Sequence, residues 1–281
     1  MFFPLPTSKI YANFATDYPK NQKTMKKTSR ALIAALIITV AAIAACSSHP
    51  TPPPAAIAID SRNFPDPAFR DFLFAQPYGK DSLLSDAEIA ATTSLNLSGL
   101  GIADLTGIHH FAALKDLACV GNQIDTLCVA GMPALNYLNC SDNHLTDIHL
   151  ADLPMLNYLD CGRNQIATLD LSQCPALHVL ACPENRLTAL DLSHCTQLNT
   201  LICNGNPFSA QAFDSLIVSL PRNTTDIHNT LYIVGDAADD KPCQFNDAHA
   251  LTARAKGWTP YYYYNGDWRK FDHNTPAVPD F

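Results

Sequence analysis

The residues best placed to do chemistry are thiols on a regular beat. Cys119, Cys140, Cys161, Cys182 and Cys203 stand 21 residues apart, and two adjacent units open almost identically, "LNYLNC" (Leu135 to Cys140) and "LNYLDC" (Leu156 to Cys161). Four uses are open to such a series: metal binding, redox exchange, disulfide formation and core filling. Zinc sites and redox centres both draw on cysteines a few residues apart, and no C-x-x-C occurs in the chain. Disulfides between successive units compete more strongly, because strands ~4.8 Å apart bring Cα atoms within disulfide range. Parallel side chains on stacked strands, however, suit the ~90° disulfide dihedral poorly. A buried free cysteine behaves as a small apolar residue, and Leu97 takes the same column in a looser first copy. Core filling is the favoured reading. Cys174 and Cys195 share a column with Met132 and Leu153 and read the same way, while Cys128 and Cys243 are lone thiols without an assigned place.

Other chemistries find less support. His109, His110, His144, His149, His178 and His194 recur without a repeated partner or an H-E-x-x-H. No G-x-S-x-G occurs, and no glycine-rich phosphate loop follows a strand. Asp147 and Asp152 make a carboxylate pair that reads as solubilising charge on turns. The expectation is a non-enzymatic protein with no cofactor and no metal.

The positions around the thiols repeat as firmly as the thiols do. Leu114, Leu135, Leu156, Leu177 and Leu198 share the 21-residue spacing, as do Leu117, Leu138, Leu159, Leu180 and Leu201. So do Asn122, Asn143, Asn164, Asn185 and Asn206. The unit is L-x-x-L-x-C-x-x-N-x-[LI]-x-x-[LI]. One unit cannot bury its apolar edge alone, but stacked units make a continuous core. The asparagine column reads as a structural ladder whose amides satisfy backbone groups where the chain leaves each strand. This pattern, over residues 92–208, resembles the leucine-rich repeat family in its short bacterial form with cysteine in the strand motif. The resemblance implies an α/β solenoid, a right-handed superhelix with a parallel sheet on its concave face.

Solenoid ends need caps. Residues 58–91 read as a helical N-terminal cap, with a helix from about Pro67 to Phe74 and a second after Ser85, boxed by Glu88. The same piece resembles an EF-hand calcium loop running from Pro77 to Glu88. Two carboxylate ligand positions are empty and Ser82 stands where glycine is needed, so it reads as a cap that kept the shape and lost the ion. Residues 209–281 read as an α/β C-terminal cap: helix Ser209–Leu220, strand Thr230–Gly235, helix Gln244–Trp258 closed by Gly257, then the strand "TPYYYY". In "YYYYNGDW" (Tyr261 to Trp268), alternation buries two tyrosines and exposes two, making this edge a second contact candidate.

The first 45 residues read as a signal region. "MKKTSR" from Met25 is a basic start, which makes Met25 the expected initiator, and Ala31–Ala45 is an apolar run too short to span a bilayer comfortably. "IAAC", ending at Cys46, resembles the lipobox of bacterial lipoproteins and implies cleavage before Cys46 and its acylation. Residues 46–57 then form a lipidated, proline-rich tether. Six of the 18 basic and one of the 26 acidic residues precede Cys46, which leaves 12 and 25 and a formal net charge of −13. Such a surface disfavours nucleic acid.

Binding remains. The third and fifth positions of each unit face the concave side: Asp116/Ala118, Tyr137/Asn139, Tyr158/Asp160, Val179/Ala181 and Thr200/Ile202. Tyr137 and Tyr158, flanked by Asn139, Asp160 and Arg163, have the composition of an interface hot spot. The expected function is a lipid-anchored envelope protein, at the outer membrane, that binds a protein or glycan partner. The alternative is a periplasmic scaffold lipoprotein without an external ligand.

Overall fold

A computed structural model describes residues 56–222, 229–234, 244–264 and 267–271. The signal region, Cys46, its tether up to residue 55 and Cys243 lie outside the described residues.

The N-terminal cap begins with β1 (Ile57–Ala58), paired antiparallel with β2 (Leu83–Leu84). Between them runs α1 (Pro67–Ala75), which starts with proline at its first turn and buries Phe69 and Leu73, one helical turn apart. Asp66 ties this helix to the solenoid. One of its carboxylate oxygens accepts the Phe69 N–H as the helix cap, and the other accepts the N–H groups of Ala103 and Asp104 in the first repeat. α2 (Asp86–Ala91) opens on a capping box: Ser85 Oγ accepts the Glu88 N–H, and Glu88 Oε2 accepts the Ser85 N–H and O–H. Ser82 takes a left-handed φ of 62°, the conformation for which an EF-hand loop requires glycine.

The repeats stack as a parallel sheet: β3 (Ser94–Asn96), β4 (Asp116–Ala118), β6 (Tyr137–Asn139), β8 (Tyr158–Asp160), β9 (Val179–Ala181) and β10 (Thr200–Ile202). Each pairs in register with the next, so every column found in the sequence is a column in space. β5 (Thr126–Cys128) and β7 (Asp147–His149) form a short parallel pair of their own. The leucines at both strand positions are buried, and so are the five cysteines of the column, all free thiols. A fully buried leucine contributes roughly 1.5–3 kcal/mol, so the core's stability accumulates rung by rung.

The asparagine column sews the rungs together. Asn164 Nδ2 donates to the carbonyls of Cys161 and Gly162 in its own rung and of Cys140 in the one before. Its Oδ1 accepts the Leu145 N–H at 2.9 Å. Asn122, Asn143, Asn185 and Asn206 likewise each bridge two rungs.

At the far end, α3 (Ala210–Ser219) is capped by Ser209 and leads to β11 (Asn229–Val234), α4 (Asp247–Ala255) and β12 (Trp258–Tyr264). α4 starts three residues later than Gln244, because Asn246 takes the N-cap and boxes with His249. β11 and β12 extend the parallel sheet beyond β10. β13 (Asp267–Lys270) then pairs antiparallel with β12 and ends the sheet. It is an element the sequence reading omits, although Asn265-Gly266 is a hairpin signal.

Candidate binding face

Strand alternation sends the middle residue of each strand into the core and the first and third to the concave side. This gives the face its residues. Tyr137 and Tyr158, in register on adjacent strands, stack with ring centroids 4.6 Å apart and planes 12° from parallel. Asn139, below Tyr137 on the same strand, holds the strand exit: its Oδ1 accepts the N–H and O–H of Ser141. Its Nδ2 faces the Tyr137 hydroxyl at 3.5 Å. Burial pushes the Tyr137 pKa up, with Asp160 and Asp116 adding to it and Asn139 opposing, and burial raises Tyr158 further. Both rings are therefore neutral at physiological pH.

Three expectations need correcting. Asp160 lies on the concave side but is not presented there, since it is only 1% exposed. Its strand sits between β6 and β9, Tyr158 rises two residues before it on the same face, and its Oδ1 turns inward to the Gly162 N–H at 3.0 Å. Tyr158 itself is 6% exposed, with Tyr137 covering one of its faces, so Tyr137 is the accessible ring of the pair.

Arg163 is likewise not an open contact cation. It occupies the left-handed position at its strand exit, with φ of 52°, and Nε and Nη2 make a bidentate pair with Asp142 one rung earlier. The column holding Gly121, Asp142, Arg163, Glu184 and Gly205 has positive φ throughout. Its turn is thus imposed by the fold even where the residue is not glycine.

The face continues into the C-terminal cap, where the sequence reading placed a second contact candidate at Tyr261 to Trp268 but did not include Tyr232. Thr200 and Ile202 pair with Thr230 and Tyr232 of β11, and Tyr232 pairs with Tyr261 of β12. Tyr232 and Tyr261 stack at 5.2 Å, and Trp268 of β13 meets Tyr232 edge-on at 4.9 Å. The signal was available, since "TLYIVG" carries Thr230 and Tyr232 in the same alternation as "TLIC" carries Thr200 and Ile202. In "YYYY", Tyr262 packs inward against Phe271 and Tyr261 faces the concave side; the side chains of Tyr263 and Tyr264 lie outside the described residues.

What this face can do is bind. Its described groups are aromatic rings, amides, hydroxyls, small apolar side chains and the exposed carboxylate of Asp116, while Asp160, the carboxylate with the most perturbed titration, is sealed beneath them. Among the described residues no three His, Cys, Asp or Glu side chains cluster as metal ligands.

No protein-family model matches the chain, and no curated protein sequence does. Solved structures do. One is a functional domain of InlJ from Listeria monocytogenes, described as including a cysteine ladder. It is 29% identical, with a TM-score of 0.50, over 63% of this chain and 45% of that one. Another is the internalin InlF from the same organism, 21% identical, with a TM-score of 0.55, over 77% of this chain and 59% of that one. The chain thus spans about half the length of these solved chains. With 21-residue rungs in register on one parallel sheet, the fold is that of a leucine-rich repeat solenoid.

Proposed function

We propose that this chain is a non-enzymatic binding protein of the bacterial cell envelope, anchored through acylated Cys46 and engaging a protein partner on its concave face. The Tyr137–Tyr158 stack carries the binding reading. Stacked on the buried Tyr158 ring, the accessible Tyr137 ring is a pre-ordered apolar contact that loses little side-chain freedom on association. The internalin neighbours support an interaction role over a catalytic one. The anchor rests on the order of basic start, apolar run and Cys46. More than one acyl chain makes such attachment stable.

Crosslinked capture from intact cells tests the binding face. Tyr137→Ala is expected to lower capture at least tenfold while the chain still folds, with only a small drop in the thermal midpoint, because Tyr137 is partly exposed. Tyr158→Phe keeps the buried ring and should fold normally. Undiminished capture by Tyr137→Ala would remove the concave face from the proposal. Labelling cells with radioactive palmitate tests the anchor separately, with label expected on the wild-type chain and absent from Cys46→Ala.

A further inference from the structure

From the C-terminal half of the concave face we infer a second binding site, independent of the Tyr137–Tyr158 reading, that takes a neutral saccharide. Three observations meet there. Tyr232, Tyr261 and Trp268 form one aromatic cluster, with two rings 23° from parallel and the indole edge-on. All three are partly exposed. Near them lies a buried amide whose oxygen has no hydrogen-bond partner. Leu201 and Cys203 are sealed in the core, so alternation puts Ile202 and Asn204 on the concave side. Ile202 is in register with Tyr232, and Asn204 follows two residues on, just past the end of β10. Asn204 is 5% exposed, and its Oδ1 has no hydrogen-bond partner.

A buried polar atom left unpaired carries a desolvation penalty that a ligand can relieve. The surroundings select the ligand. From β9 to β12 the first and third concave positions are Val179, Ala181, Thr200, Ile202, Thr230, Tyr232, Thr259 and Tyr261, none of them charged. Lys270 stands at the rim, opposite Tyr261. Aromatic faces without flanking charge suit the C–H face of a sugar ring, whose hydroxyls can bond to the threonines and the amide. A hydroxyl also donates or accepts as required, so it satisfies Asn204 whichever way its amide is turned. A basic peptide has no counter-ion among these positions, an acidic one has only Lys270 at the rim, and an acidic glycan would meet an acidic chain.

Tryptophan fluorescence of the full chain is a direct readout. The chain has two tryptophans, and Trp258 is 1% exposed with its indole N–H bonded to the Pro221 carbonyl, which leaves Trp268 to respond. Titration with maltotriose, cellotriose and triacetylchitotriose should give a saturable change with at least one probe, with a midpoint roughly millimolar, as a few contacts support. Tyr232→Ala and Asn204→Leu should each weaken it about tenfold or more, the gain expected from one good contact, and Tyr137→Ala should leave it unchanged. Should either variant fold poorly, saturation-transfer NMR on the wild-type chain decides instead, with transfer expected chiefly to the C–H protons of one sugar face. Three flat titrations, a response that survives both substitutions, uniform or absent transfer, or saturation by a decaproline peptide alone would each overturn the assignment.

Discussion

Asp160 shows how a residue chosen for its surface can act on stability instead. Burial raises its pKa from the ordinary 3.8 to about 7, outweighing the Gly162 N–H and the Arg163 charge, which favour the carboxylate, while Asp142 opposes it further. A raised folded-state pKa means the folded chain holds the proton longer than the unfolded one. Stability from this group is therefore intact below pH 3.8 and is lost as pH rises towards 7. Asn139 makes the same exit turn one rung earlier with an amide, so Asp160→Asn fits the site. At pH 8 it should stabilise the chain by roughly 1–3 kcal/mol, and at pH 3.5 by little, as denaturant titrations at the two pH values would show. The ladder asparagines behave differently. Asn164→Leu strands the Leu145 N–H and should cost about 2–4 kcal/mol at any pH, by the same titration. The sequence shows the asparagine column because the fold repeats its geometry five times over. It does not show the burial of Asp160 or the Arg163–Asp142 pair, which depend on how a neighbouring ring rises and how a left-handed turn aims one side chain.

At the scale of elements, the caps depend on local signals that span different distances. Ser85 with Glu88 and Ser209 before an amphipathic run are readable because cap and helix are adjacent in sequence. The docking of α1 is not readable in that way, because the Asp66 partners Ala103 and Asp104 lie more than thirty residues on. Burial acts to raise the Asp66 pKa, but the N–H groups of Ala103, Phe69 and Asp104 together outweigh it and hold the carboxyl below 3.8. The sign is thus opposite to that of Asp160: the contribution is present above pH 3.8 and is lost as pH falls through the lowered value. Asp66→Ala removes a helix cap and strands two further N–H groups, an expected loss of about 2–4 kcal/mol. Hydrogen exchange should locate it, with protection falling in α1 and the first repeat while β8 to β10 keep theirs.

Across the whole molecule, each rung contacts its neighbours and the caps close both ends, so access to the core is graded along the solenoid. The thiol column samples that gradient. Cys119, Cys140, Cys161, Cys182 and Cys203 are 1% exposed or less. Burial pushes the Cys119 thiol up to about 12 and those of Cys140, Cys161 and Cys182 well above the ordinary 9.0. Alkylation needs a thiolate and a path for the reagent, and the native column offers neither. Cys128, on the exposed side of β5, offers the path. Iodoacetamide followed by peptide mass spectrometry should therefore mark Cys128 first among the cysteines of the described residues. As denaturant is raised below the main transition, the terminal rungs should open before the middle, so that Cys119 and Cys203 become labelled ahead of Cys140 and Cys161. Simultaneous labelling of all five would mean that the rungs open as one cooperative unit. Labelling of the column in native buffer at the Cys128 rate would contradict a sealed core, and with it the reading of these thiols as packing in place of leucine.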